Sequence, residues 1–524
     1  MNRWLVAGVA LLAAAALGLR APRLALRPLH NDEGVNAMKF RLLWDNQTYQ
    51  YDPNEFHGPT LAYLTLPAAW LEGSSDFNRF TEATFRSVPV AFGTGLVLLL
   101  LLLAPEFGRA ETLWAAALTA LSPALVFYSR YYIHEMLLVF FTALCFFCAW
   151  RCLQSARPLW ALAAGIALGL MAATKETFVF AVAAMGLSAA TTAAWSRLSG
   201  GVPSSRPRWR PQHALLALLA ALAVALVFFS SFFHNARGPL AALQACLPWL
   251  RRAGGVTEHV HPWTFYFERL LFFHARGGPV WSEGFVVALA VVGFVVALSG
   301  RAALPALRLL LRLLAFYTMW LTILYTALPY KTPWCLLGFY HGMILLAGAG
   351  AAFLWRACRS RLARTVASVA LAAGLGHLAW QAWAGNFGCD DAGTPYCASP
   401  KNPYVYSQTV PDALRLVETV EGIARVAPQG YDTVVEVMAP ESYWPLPWYL
   451  RQFKNTGYWE GIPDAPLAPI MIVSASLRAA FDERPEKTRL MAGYFELRPN
   501  VFFELYVNTN LWASYLKTLP PEPD

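Results

Sequence analysis

Charge is scarce in this chain. Asp, Glu, Lys and Arg make up 14% of its 524 residues, against roughly 25% in a soluble globular domain. That shortage excludes an ordinary cytosolic enzyme and a disordered chain. Cysteine is scarce too, with Cys 8, which excludes a small disulfide scaffold. There is no P-loop, no G-x-G-x-x-G between a strand and a helix, and no histidine pair at metal spacing on one helix. His259 and His261 flank Val260 in a loop, a slight metal signal without a third ligand. The reading is no cofactor, with a divalent metal left open.

Apolar residues are what the chain has in excess. They reach 57%, with Trp 20, Tyr 21, Phe 33 and a mean hydropathy of +0.41. Aromatics in this number suit helices that end among lipid headgroups. The net charge of +9 would suggest nucleic acid if it formed one patch. Instead the basic residues sit in short loops between apolar runs, so no nucleic-acid partner is expected.

Runs long enough to cross a bilayer cover 5–19, 87–103, 113–127, 136–152, 159–173, 178–195, 215–233, 285–298, 313–328, 335–355 and 366–383. They predict an all-α polytopic membrane domain of about eleven spans. The first run also reads as a signal peptide, and either reading delivers the chain to the same side. Arg151 and Arg157, then Arg197, Arg206, Arg208 and Arg210, then Arg301 and Arg308, then Arg356, Arg359, Arg361 and Arg364 follow alternate spans. That bias sets their side as cytoplasmic, with the N-terminus inside and the C-terminus outside, in a cell (inner) membrane.

The outer face then holds loops 20–85 and 234–283 and a C-terminal segment. The predicted domains are 1–384, transmembrane, and 385–524, an extracytoplasmic α/β domain. In the latter, residues 411–427 show helical spacing behind an Asp412 N-cap, and 433–438, 470–473 and 501–507 read as strands. Cys389 and Cys397 lie close together outside, where a disulfide is expected.

Polar residues gather on that outer face. His30-Asn31-Asp32-Glu33-Gly34 follows the first span, and Phe56-His57-Gly58-Pro59 ends the first loop. Tyr128 to Glu135 closes the third span, Lys175-Glu176 fills a turn, and His234, Asn235 and Arg237 open the next loop. Pro329 to Trp334 precedes the tenth span. Asp32 and Glu33 could simply cap a helix, and any single cluster could be an interfacial anchor. Ionisable groups at membrane depth are costly, however, and these clusters together on one face point to a functional cavity.

At these residues the chain resembles the GT-C glycosyltransferases, membrane enzymes using polyprenyl-phosphate sugars, among them protein O-mannosyltransferases and the lipid A aminoarabinose transferase. Ser129-Arg130-Tyr131 with Glu135 is similar to the mannosyltransferase pattern S-R-Y-x-x-x-D, with Glu for Asp. The D-E, H-G-P and Y-K-T-P-W motifs, with segments 402–409 and 444–451, resemble the flippase activity-associated proteins of archaea and bacteria. This likeness runs from Asp32 to about Trp459.

The resemblance implies an inverting hexosyltransferase taking a sugar from a polyprenyl-phosphate donor to an unidentified glycan, lipid or protein acceptor at the outer face, with membrane lipids around it. Asp32 resembles the family base. Fixed positive charge must stabilise the leaving phosphate, and Arg130 and Lys331, with Arg237 third, are the residues placed for it. Glu33 and Glu135 would orient the acceptor or hold those cations. His57, Tyr330 and Trp334 would meet substrate, the aromatics by stacking, although interfacial anchoring is the commoner role of such aromatics. A lipid-linked glycan flippase and a non-catalytic scaffold are the alternatives.

Overall fold

The computed structural model describes all residues except 1, 50, 53–56, 199–209, 246–258, 300–304, 465, 484–487 and 521–524. Arg206, Arg208, Arg301 and Phe56 therefore lie outside the described residues. Two compact units emerge. One comprises Met1–Leu24, Leu42–Gly73 and Ala83–Tyr406; the other comprises Ala25–Arg41, Ser74–Glu82 and Ser407–Asp524.

The first unit is helical. Among the described residues, eight helices are long and apolar enough to cross a membrane: Arg3–Arg20, Glu82–Leu102, Glu135–Ser155, Phe178–Leu198, Pro211–Phe229, Ala306–Ala327, Pro333–Ala357 and Arg361–Phe387. Thr60–Leu71, Pro158–Ala172 and Gly284–Ser299 are apolar but shorter. The chain is thus a multi-pass membrane protein. Small residues let the helices approach closely. A Cβ on Gly293 would stand 2.0 Å from the Leu346 carbonyl oxygen, and one on Gly350 would stand 2.1 Å from that of Leu289. Those two contacts lock Gly284–Ser299 against Leu337–Ala357.

Two expectations change here. The run 113–127 is not one span: a helix Arg109–Leu121 ends and a six-residue helix Pro123–Tyr128 begins. Pro123 brings no N–H to continue the first helix. Ser122 then caps the second, accepting from Leu125 N–H at 3.2 Å. The region 20–85 is not loop throughout either, since Thr60–Leu71 is an apolar helix within it. At about 18 Å it is too short to cross a bilayer core of roughly 30 Å.

The second unit is a mixed sheet flanked by helices. With the hairpin strands Phe273–His274 and Val280–Trp281 of the helical unit as β1 and β2, its strands are β3 (Val435–Met438), β4 (Thr456–Trp459), β5 (Ile470–Ser474), β6 (Arg489–Arg498) and β7 (Val501–Asn508). They lie in the order β4-β3-β5-β7-β6. β3 runs parallel to β4 and β5, and β7 is antiparallel to β5 and β6. Every residue of β3 and β5 is buried, as befits central strands covered on both faces. Helix Asp412–Val426 lays Leu416, Val420 and Ile423 on one face, against Val435, Ile470 and Leu505. Asp412 is the first helical residue rather than the N-cap, a position Pro411 takes. Its carboxylate instead accepts from Glu496 N–H at 2.8 Å and joins helix to β6.

The units divide elsewhere than after residue 384. Residues up to Tyr406 stay with the helices because the Tyr404 hydroxyl donates to Glu283 (2.5 Å), Trp281 to the Lys401 carbonyl (2.7 Å) and Asn402 to the Gly385 carbonyl (3.1 Å). Ala25–Arg41 folds with the sheet: the Gln408 amide donates to the Pro28 carbonyl (3.0 Å), and Leu29 N–H to the Tyr449 hydroxyl (2.8 Å). Gly34 fits only as glycine, since a Cβ there would lie 2.6 Å from that of Pro445.

Candidate functional site

In the sheet unit, helix Asn31–Asn46 starts at His30-Asn31-Asp32-Glu33. The His30 ring nitrogen Nδ1 accepts from Asp32 N–H at 3.1 Å, and the Glu33 carboxylate reaches back to His30 N–H at 2.9 Å. This is a reciprocal cap with histidine in the place usually held by Ser or Thr. Glu33 is fully buried and also pairs with Arg27 at 3.3 Å. The adjacent carboxylates therefore separate: Glu33 is occupied by structure. The half-buried Asp32 carboxylate has no hydrogen bond among the described residues.

The helical unit holds a second polar group, where the H-G-P and K-E motifs meet. Gly58 N–H donates to the Thr174 carbonyl at 3.1 Å and Thr60 N–H to that of Ala173 at 3.2 Å. This docking sets His57 against Glu176 (3.1 Å) and within 4.9 Å of the His134 ring. Lys175 turns inward and pairs with Glu135, both buried. Burial works against the Lys175 ammonium, but the Glu135 carboxylate outweighs it and raises the Lys175 pKa.

Glu135 also lines a small cavity of about 20 Å³, with Thr177, Trp334 and Cys335. A second cavity of about 20 Å³ shares Val139, Thr142, Tyr317 and Gly338 with the first and adds Phe146 and Leu345. Both are lined mainly by apolar side chains, and each has room for about one water molecule.

Lys331 is held in a short β-bridge, Val260 opposite Tyr330. Its backbone N–H donates to the His259 carbonyl at 2.8 Å, and its ammonium to the carbonyls of His261, at 3.0 Å, and Leu328. Burial pushes its pKa below the ordinary lysine value. The Tyr406 hydroxyl lies 2.7 Å from His259 Nδ1 and 3.0 Å from His261 Nε2, and Tyr330 packs on His259 at 5.0 Å. Trp334 lies 6.0 Å from Tyr406.

Arg130 binds the backbone just beyond the first helix. Its guanidinium donates to the carbonyls of Arg20, Pro22 and Arg23 at 2.7, 2.6 and 3.0 Å and stacks on Phe387. It secures the chain as it leaves the first helix. Arg237 is exposed at the start of helix Gly238–Gln244.

The expected disulfide is not formed. Cys389 is exposed beside its bridge partner Pro395, while Cys397 is buried in the turn Tyr396–Ala398, and no bond joins them. No group of three His, Cys, Asp or Glu residues is set to hold a metal among the described residues.

A buried acid, Glu283, escaped the sequence reading, as Glu111 and Glu436 did. Glu283 accepts from the Ser122 hydroxyl and Ala124 N–H, both at 2.8 Å, and from the Tyr340 and Tyr404 hydroxyls, both at 2.5 Å. Burial raises its pKa against the pull of those donors. Its one signal in sequence was a carboxylate immediately before an apolar run.

Residues 64–238 match the dolichyl-phosphate-mannose-protein mannosyltransferase (PMT) family. No protein of curated function matches the chain in sequence. Among solved structures, the apo oligosaccharyltransferase of Archaeoglobus fulgidus superposes with a TM-score of 0.54 at 14% identity, over 87% of this chain. The chain spans 64% of that protein's length. ArnT from Cupriavidus metallidurans in the apo state gives 0.61 at 14% identity, over 96% of this chain and 97% of its own. ArnT bound to undecaprenyl phosphate gives 0.59 at 13% identity, over 97% and 98%. Residues 64–238 are thus similar to the PMT family, and the chain has the fold seen in ArnT and in the archaeal oligosaccharyltransferase.

Proposed function

We propose that the chain is an inverting glycosyltransferase that moves a hexose from a polyprenyl-phosphate donor to an acceptor on the extracytoplasmic side of the cell membrane. The observation that carries this reading is the division of labour between Asp32 and Glu33, on a chain with the GT-C fold and a PMT match. One carboxylate is spent on the helix start, and its neighbour is left for chemistry. The undecaprenyl phosphate held by ArnT supports a lipid-linked donor.

In the reaction, the acceptor hydroxyl gives its proton to the Asp32 carboxylate as its oxygen attacks the anomeric carbon. The bond from that carbon to the phosphate oxygen breaks, and its electrons leave with polyprenyl phosphate. Lys331 uses its remaining N–H on that phosphate, with Arg237 as a second cation. Arg130 acts as a positioning residue for the backbone that leaves the first helix.

Reconstituted protein given a labelled polyprenyl-phosphate sugar tests the base. Asp32→Asn should lose transfer by about 10²-fold or more with unchanged thermal stability. Glu33→Gln should instead lower the unfolding temperature. Wild-type turnover by the Asn variant would remove Asp32 from the mechanism.

A further inference from the structure

We infer that the loop Glu441–Pro445 builds a stacking platform for a sugar ring beside Asp32, so that the acceptor is a glycan. This deepens the transferase reading and rests on it. The rings of Tyr458, Tyr443 and Trp444 form a near-parallel row, with centroids 4.8 and 6.3 Å apart and both interplanar angles 28°. Tyr443, Trp444 and Tyr458 are each partly exposed. The row adjoins the start of helix Asn31–Asn46. A methyl group on Gly34 would stand 3.4 Å from Trp444 Cε3, and the Ser442 hydroxyl bonds the Asn31 side chain at 3.2 Å.

The loop is fixed from two directions. Arg498 donates to the carbonyls of Ser442 and Trp444 at 2.6 and 3.3 Å, and Glu441 accepts from the hydroxyls of Ser474 and, at 3.1 Å, Ser476. Rings held this way lose little freedom on binding. A pyranose has an apolar C–H face that packs on the electron-rich face of an aromatic ring. Its hydroxyl rim needs hydrogen-bonding groups, which Asn31, Asp32 and Ser442 supply within the same unit.

A peptide adding to the sheet edge that carries Tyr458 would have to use β4. That strand has four residues, and so short an edge offers few ladder bonds. The ring row is therefore better matched to a sugar than to a polypeptide.

The test uses the full-length protein in nanodiscs, with short neutral and N-acetylated oligosaccharides as probes. A serine/threonine peptide and polyprenyl phosphate are titrated in parallel. Wild type should bind an oligosaccharide and transfer saturation from its aromatic protons to the sugar ring C–H protons. Trp444→Ala and Tyr443→Ala should weaken that binding about tenfold, while Trp444→Phe retains most of it. Polyprenyl phosphate binding should be the same in all variants. Absence of oligosaccharide binding, equal binding by both alanine variants, or binding of the peptide alone overturns the proposal. The saturation-transfer arm on wild type stands even if an alanine variant misfolds. Loss of polyprenyl phosphate binding by wild type would strike the transferase reading instead and leave the platform's result legible.

Discussion

Lys175 and Glu135 form an exacting contact in the helical unit, because neither charge has water to fall back on: their side chains are 8% and 7% exposed. Lys175→Met should destabilise the protein by about 3–5 kcal/mol, since it strands the Glu135 carboxylate. Adding Glu135→Gln should recover most of the loss. Thermal unfolding in detergent checks both, and a double variant no better than the single would remove the pairing as the cause. Lys331 makes a different prediction, in pH. Burial lowers its pKa, so it loses its charge below the ordinary lysine range. Donor affinity should fall as pH rises through that lowered value, and Lys331→Arg should move the alkaline limb out of reach. Stability runs the opposite way: between the two values the unfolded chain binds more protons, so folding is favoured as pH rises. A donor KM that is flat across the alkaline range would detach Lys331 from the phosphate.

Helices dominate the next scale, and their contacts show what periodicity reveals and what it hides. Long apolar runs announce themselves, and most of the expected spans reappear as helices with slightly shifted ends. The break at Ser122-Pro123 was invisible because a hydropathy window averages over the one residue that cannot donate. β4 and β6 were missed for another reason: Thr456-Gly457 and the charged residues of Arg489–Arg498 mask the strand signal. Edge strands face solvent on one side and so lack a continuous apolar run. At the Gly293 and Gly350 crossing the backbones leave no room for a side chain. Gly350→Val should cost about 1–3 kcal/mol through overpacking, whereas Gly376→Ala, in open space, should be nearly silent. Melting curves of the two variants decide the matter, and equal shifts would mean that the crossing is not tight. The site was legible in kind rather than in arrangement. Asp32, His57, Lys331 and Trp334 drew notice as polar or aromatic residues at helix ends. That Arg130 serves three carbonyls, and Glu33 a helix cap, depends on partners far away in sequence.

Across the whole molecule, the proposed orientation can be read from two cysteines of the helical unit. Cys389 is exposed just past helix Arg361–Phe387, and Cys358 lies just before it. That helix is about 40 Å long, enough to separate the two by a bilayer. In single-cysteine variants, a membrane-impermeant maleimide should label Cys389 in spheroplasts without reductant and leave Cys358 unlabelled until the membrane is opened. The reverse pattern would invert the topology. The pairing of the Asp32 segment with the last part of the chain bears also on the order of synthesis. Leu29 leaves the ribosome 420 positions ahead of Tyr449, roughly 20–80 s earlier at ordinary elongation rates. The carboxylate is made first and its setting last. A nascent chain arrested before residue 408 carries Asp32 on a segment that still lacks Gln408, Pro445 and Tyr449. Such a chain is expected to be inert, so half-made protein inserted in the membrane would not squander the donor.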